Sequence, residues 1–243
     1  MVRRPLPEIG AVEIWSAQLD VGPAVLGKIV QTLSGEERLR AGRFRSDLDR
    51  DRYVAGRGWL RHLLAGYVGV DPADVALSHD SAGKPRLVNS DSGEVRFNLS
   101  HSEGLVVFAV ARAREVGIDV EYIRRDFPVD GVADRIFSAT EREALASLGT
   151  ERKLHAFFTS WTLKEAYFKG LGVGWGTLDS GEHLSLDTLT VLEPSVVEYW
   201  SARRGRWSLA GFDAGPGFAA ALAIEGDNVQ IPSAARSIGA RFA

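Results

Sequence analysis

Residues 34–70 carry Leu60, Leu63, Leu64 and Tyr67 at helical spacing in a proline-free stretch rich in Arg, Glu, Leu and Ala, which predicts one or two helices ended by Asp71-Pro72. From 73 to 125 the pattern changes to short apolar or alternating segments, "VALSHDSAGKPRLV", "EVRFNLSHSEGLVVFAVAR" and "EVGIDVEYI", separated by Gly, Ser and Asn. These read as strands and turns. Helical spacing returns over 129–169. Ser138 with Glu141 three residues on forms a capping box, Gly149 is a stop, and a second helix from Thr150 or Glu151 runs to Lys169 and is closed by Gly170. "LSLDTLTVLE", "VVEYWSAR", "WSLAGFD" and "FAAALAI" then predict antiparallel strands, and the weakly patterned tail from Asp227 is expected to be loosely ordered.

Helices then strands, twice over, predict an α+β fold of two similar subdomains, 1–115 and 116–243. The apolar runs "LVVFAVA" and "FAAALAI" occupy comparable places in the two halves, which suggests an internal duplication. At seven residues each they are far short of the roughly 20 needed to span a bilayer, so no membrane association is expected. A net charge of -3 argues against nucleic acid as the main partner. The absence of cysteine excludes disulfides, thiolate metal sites and cysteine nucleophiles, and fits a cytoplasmic protein.

Four clusters carry candidate chemistry. In "GIDVEYIRRD", Asp119 and Glu121 are two positions apart on a strand and so share a face. Taken alone the pair reads as a solvated acidic edge, but oxygen-only ligands also suit a hard cation. In "FFTSWTLKEAYFKG", Trp161, Glu165 and Lys169 follow one slanted helix face, as a surface ion pair or as a third acid beside a phosphate-binding lysine. "HDSAGKPRL" and "FNLSHS" offer Lys84, Pro85, Arg86, Ser100 and His101, either hairpin punctuation or phosphate donors. The basic helix "RLRAGRFRSDLDRDRYVAGRGWLR" could bind an acidic group. No Gly-x-Ser-x-Gly elbow supports a serine hydrolase, and "GLGVGWG" follows a helix where a dinucleotide loop must follow a strand.

In this order, "RFRSDLDRDRYVAGRGWLR", "GKP", "FNLSHS", "GIDVE", "RIFSATEREAL" and "WTLKEAYFK" resemble the large, monomeric, Sfp-like 4'-phosphopantetheinyl transferases over about residues 34 to 176. The resemblance implies two α+β subdomains related by a pseudo-twofold, with the site in the cleft between them. It implies Mg2+, with Mn2+ as the alternative, on Asp119, Glu121 and Glu165, and Lys169 on the pyrophosphate of coenzyme A. Lys84, Pro85, Ser100 and His101, helped by Arg40 and Arg43, would hold the rest of the coenzyme. Glu165, Lys169 and Asp119 would be catalytic, with Glu165 as the base for the serine of an apo acyl or peptidyl carrier protein. That carrier would dock beside 127–158, steered by Arg124, Arg125, Arg135 and Lys153. Glu37 and Tyr53 depart from the basic and small hydroxyl residues expected there. A Mg2+-dependent phosphohydrolase would use the same groups without a carrier, and a non-catalytic carrier-binding module would not need the acids.

Overall fold

The computed structural model describes residues 3–81, 83–88, 94–173, 197–201 and 205–238 and has an α+β fold. Strand β1 (Val12–Gln18) leads into helices α1 (Pro23–Ile29), α2 (Gly35–Ala41) and α3 (Asp47–Val68), then the short hairpin β2 (Leu77–His79) and β3 (Pro85–Leu87). Strands β4 (Val95–Ser102), β5 (Leu105–Arg112) and β6 (Val116–Tyr122) follow, then α4 (Val129–Ile136), α5 (Ala139–Ala146), α6 (Thr150–Leu171), β7 (Val197–Ser201), β8 (Gly205–Gly211), β9 (Phe218–Glu225) and β10 (Arg236–Ser237). The expected strand "LSLDTLTVLE" lies outside the described residues. Among those residues no helix is long and apolar enough to cross a membrane.

Two four-stranded sheets form, ordered β10-β1-β5-β4 and β6-β9-β8-β7. Side-chain parity shows how they stack. Val106, Phe108 and Val110 of β5 pack with Trp15, Ala17 and the buried face of α3. The alternate residues Leu105, Val107, Ala109 and Ala111 pack instead against Val116, Ile118 and Val120 of β6 and Ala220, Leu222 and Ile224 of β9. Ala221 and Ala223 of β9 face the other way, onto Leu163, Ala166 and Phe168 of α6. The apolar runs are therefore unbroken because β5 and β9 each bury both faces. The layers run α3, first sheet, second sheet, α6.

Three local expectations change. Strand β1 and helix α1 were not anticipated. From Asp227 to Ile238 the tail is tied down: Trp15 pairs with Arg236 and Ser16 with Ser237 in a parallel ladder, Ile238 N donates to Ser16 O at 2.8 Å, and Ile238 is buried. Gly170 does not close its helix. It lies inside α6, and a Cβ there would meet the Trp207 ring at 2.6 Å; the left-handed cap is Gly172, with φ 69°.

A capping box is realised at two helix starts among the described residues. Ser138 and Glu141 form the expected box, and Ser34 with Glu37 forms another at α2. Both glutamates have a second role. Glu141 meets Lys164 of α6 at 2.7 Å in a pair whose side chains are 3% and 2% exposed. Glu37 accepts from Arg57 Nε at 2.9 Å and Arg61 Nε at 2.6 Å, and so ties α2 to α3. Desolvation would raise the Glu37 pKa, but hydrogen bonding from Ser34 and the two guanidiniums outweigh it and hold the carboxyl below its ordinary value.

Candidate active site

The two sheets meet along β4 and β6 without a ladder between them; side chains make the join. Asn98, Ser100 and Ser102 alternate on one face of β4. Ile118 N donates to Asn98 Oδ1 at 3.1 Å, Ser100 Oγ donates to Asp119 Oδ1 at 2.8 Å, and Ser102 Oγ donates to Glu121 Oε2 at 3.0 Å. The polar half of "FNLSHS" thus serves β6, while Phe97 and Leu99 serve the core under α3.

Helix α6 closes the other side. Gly117, Asp119 and Glu121 face it, and at Gly117 a Cβ would stand 1.9 Å from Ala166 O and 2.3 Å from Gly170 N. Backbone therefore lies on backbone, and the helix is close enough for Lys169 Nζ to donate to Asp119 Oδ1 at 2.6 Å and to Ser100 Oγ at 2.9 Å. Strand, serine and lysine converge on one carboxylate.

Asp119 is 2% exposed, and burial lifts its pKa above the ordinary value despite the opposing Lys169 ammonium and Ser100 hydroxyl. Its second oxygen, Oδ2, is buried with no hydrogen-bond partner. The Glu121 carboxyl is also raised, first by burial, then by the charge on Asp119, with a smaller push from Glu165. Two carboxylates that both press on Glu121, one of them with an unsatisfied buried oxygen, make with it a donor set whose chemistry suits a hard divalent cation. Among the described residues no three such ligands are already gathered into a metal cluster.

A cleft of about 1090 Å³ opens from this point. Ser100, His101 and Lys169 line one part, Gly83 and Pro85 of the hairpin another, and Arg40, Tyr53 and Arg57 of α2 and α3 a third. Arg43 sits in an adjoining recess of about 470 Å³ that shares Arg40 and Phe44 with the cleft. His101 is held below the usual histidine pKa, first by desolvation and then by the positive charges of Lys169 and Arg52. Arg52 is itself clamped by Asp20 at 2.7 and 2.9 Å.

Lys84 is placed differently from expectation. Its Nζ donates to Glu115 Oε2, Val116 O and Gly170 O, each at 3.0 Å, and its side chain is 6% exposed. All three protons of the ammonium are spent on tying the hairpin to the start of β6 and the end of α6, so its charge is not turned to the cleft. Lys84→Met leaves two buried carbonyls without their donor and should cost about 2–4 kcal/mol in urea unfolding; a loss within experimental error would mean the ammonium is not the tie.

Of the cations expected to steer a partner, Arg124, Arg125 and Arg135 are exposed, with Arg124 over the Phe127 ring at 5.1 Å. Lys153 is paired with Asp130 at 2.5 Å. Arg52 and Arg57 also line the cleft; the basic helix pattern contains both, but only their folded partners, Asp20 for Arg52 and Glu37 for Arg57, separate them from its other arginines.

Residues 115–223 match the model of the 4'-phosphopantetheinyl transferase superfamily, and residues 22–113 match that of the 4'-phosphopantetheinyl transferase N-terminal region. The chain is 40% identical over 217 residues to 4'-phosphopantetheinyl transferase HetI of Nostoc sp., covering 88% of each chain. It is 35% identical over 178 residues to 4'-phosphopantetheinyl transferase psf-1 of Bacillus pumilus, covering 70% of this chain and 74% of that one. Similarity extends to the Homo sapiens L-aminoadipate-semialdehyde dehydrogenase-phosphopantetheinyl transferase, 31% identical over 158 residues, or 60% of this chain and 50% of the human one.

Proposed function

Because the chain belongs to the 4'-phosphopantetheinyl transferase superfamily and has that activity, we propose that its donor is coenzyme A and its acceptor a serine hydroxyl of an apo acyl or peptidyl carrier protein. Adenosine 3',5'-bisphosphate is then the second product. The enzyme works as a monomer in the cytoplasm, with its site between the two subdomains. The observation that carries this reading is the Ser100–Asp119–Lys169 constellation at a cleft that Arg40, Arg52 and Arg57 also line.

In the reaction, the carrier serine oxygen forms a bond to the phosphorus that bears the pantetheine arm. The bond from that phosphorus to the bridging oxygen breaks, and the nucleotide leaves with the electron pair. Positioning and charge neutralisation supply most of the rate in such transfers. Lys169, at the open end of its bond to Asp119, is placed to neutralise charge growing on the leaving phosphate. Glu165 takes the serine proton. Ser100 holds Asp119 in orientation, and His101 and Pro85 line the path of the nucleotide. Asp119, Glu121 and Glu165 would hold Mg2+, or Mn2+ in its place, and the bound ion supplies charge neutralisation at the pyrophosphate oxygens.

The test is incubation of the purified protein with apo carrier, coenzyme A and Mg2+, read by intact-protein mass. A phosphopantetheine-sized gain on the carrier is expected. Nucleotide release with no gain on several unrelated carriers would mark a phosphohydrolase instead.

A further inference from the structure

Glu37 looks out of place beside a cleft that should receive a polyanion, since it is an acid on α2, the helix that also carries Arg40. Its surroundings remove the contradiction. One carboxylate, 6% exposed, is shared by two guanidiniums: Arg61 through Oε2 at 2.6 Å and Arg57 through Oε1, from Nε at 2.9 Å and Nη2 at 2.8 Å. Arg61 is turned inward, its Nη1 donating to Pro72 O, Ala73 O and Val75 O at 3.1, 3.3 and 3.0 Å. The group therefore carries one net positive charge. That charge emerges on the cleft side, because Arg57 lines the cleft and Arg61, with its side chain only 4% exposed, does not.

We propose that Arg57, oriented by Glu37, binds the 3'-phosphate of the coenzyme and sets the preference for coenzyme A over its 3'-dephospho form. This rests on the transferase reading above. Two sets of elements bring cations to the cleft: Lys169, bonded to Asp119, comes from α6, and Arg57 comes from α3 together with Tyr53, whose ring the Arg40 guanidinium of α2 approaches to 5.5 Å. With Lys169 assigned to the pyrophosphate, Arg57 is left for the donor's remaining phosphate. The phosphate remote from the reacting bond is the 3'-phosphate. A guanidinium already held on one edge by a carboxylate is pre-organised to present its remaining N–H groups to phosphate oxygens. Glu37 is thus an orienting partner, and the basic role absent at position 37 is supplied from α3.

The test compares coenzyme A with 3'-dephospho-coenzyme A as donor in the carrier mass assay, for the wild type, Arg57→Ala and Arg57→Lys, with thermal melting as a folding control. The wild type should show a clearly lower KM for coenzyme A than for the dephospho form. Arg57→Ala should raise KM for coenzyme A by roughly 10- to 100-fold with kcat nearly kept, as expected for lost uniform binding. Its KM for the dephospho form should stay close to that of the wild type, and Arg57→Lys should fall between. Equal KM changes for both donors would overturn the inference, as would a wild type that does not distinguish them, a result that holds even if Arg57→Ala fails to fold. No transfer from either donor by folded wild type would overturn the transferase reading and this inference together.

Discussion

Gly117→Ala is expected to destabilise the chain by more than about 3 kcal/mol and to abolish detectable transfer. The added methyl carbon would stand 1.9 Å from Ala166 O and 2.8 Å from Gly170 Cα, and both are helix backbone that cannot swing aside. Relief requires α6 to lift from β6. Any such lift draws Lys169 from Asp119, whose bond is now 2.6 Å, and moves Glu165 with it. The damage to stability and to chemistry thus has one cause. Gly131→Ala is the control: it lies in helix α4 with nothing within 4 Å of the new carbon, and should be neutral or stabilising by up to about 1 kcal/mol. Urea denaturation and the carrier mass gain read both. A Gly117→Ala protein of wild-type stability would show that the strand and helix backbones do not need their close approach.

Asp119→Asn is expected to separate the two effects, losing at least about a thousandfold in transfer rate while the metal-free protein melts no lower than the wild type and gains stability at neutral pH. The sign follows from the raised pKa of Asp119, for which burial is the leading cause. An acid whose folded pKa exceeds its unfolded value binds more protons when folded, so stability falls as pH climbs from the ordinary value of 3.8 through the folded pKa. Above that window the full cost of the buried charge is present. The amide removes that cost, so its advantage should be clear at neutral pH and vanish below the unfolded pKa. Melting curves across pH check this; a neutral-pH loss of stability would mean that the Lys169 pairing outweighs desolvation.

What the sequence conveyed about the fold was whatever depends on near neighbours. Alternation located β4 and β6, a short unbroken apolar run located β5, and the Ser138 to Glu141 spacing located the start of α5, because side-chain direction and capping act over a few residues. Contacts across the chain were out of reach. Lys84 in a Gly-Lys-Pro turn has the look of an anion donor, and only folding brings it to Gly170 O, 86 positions away. Gly170 and Gly172 are equally plausible helix ends on paper; the Trp207 ring, packed where a Cβ on Gly170 would go, and the left-handed φ at Gly172 decide between them. At the site, Asp119 was ambiguous as one of two acids on a strand. Its partner-free Oδ2, with Ser100 and Lys169 on Oδ1, is what sets it apart from surface charge. The partners of Glu37 were out of reach for the same reason, since nothing local shows that two arginines of α3 share its carboxylate.

The pairing of β6 also dictates when the active site comes into being during synthesis. Its ladder joins Val116 to Ile224 and Tyr122 to Phe218, and among the described residues β9 is its ladder partner. A nascent chain that has already produced Asp119, Glu165 and Lys169 still lacks the strand that fixes Asp119 in place. Until β9 leaves the ribosome, the apolar side of β6 and the inner face of β5 stand uncovered. The growing polypeptide thus carries no working transferase until β9 has emerged, and through that interval those two strands are the surfaces a chaperone would need to shield.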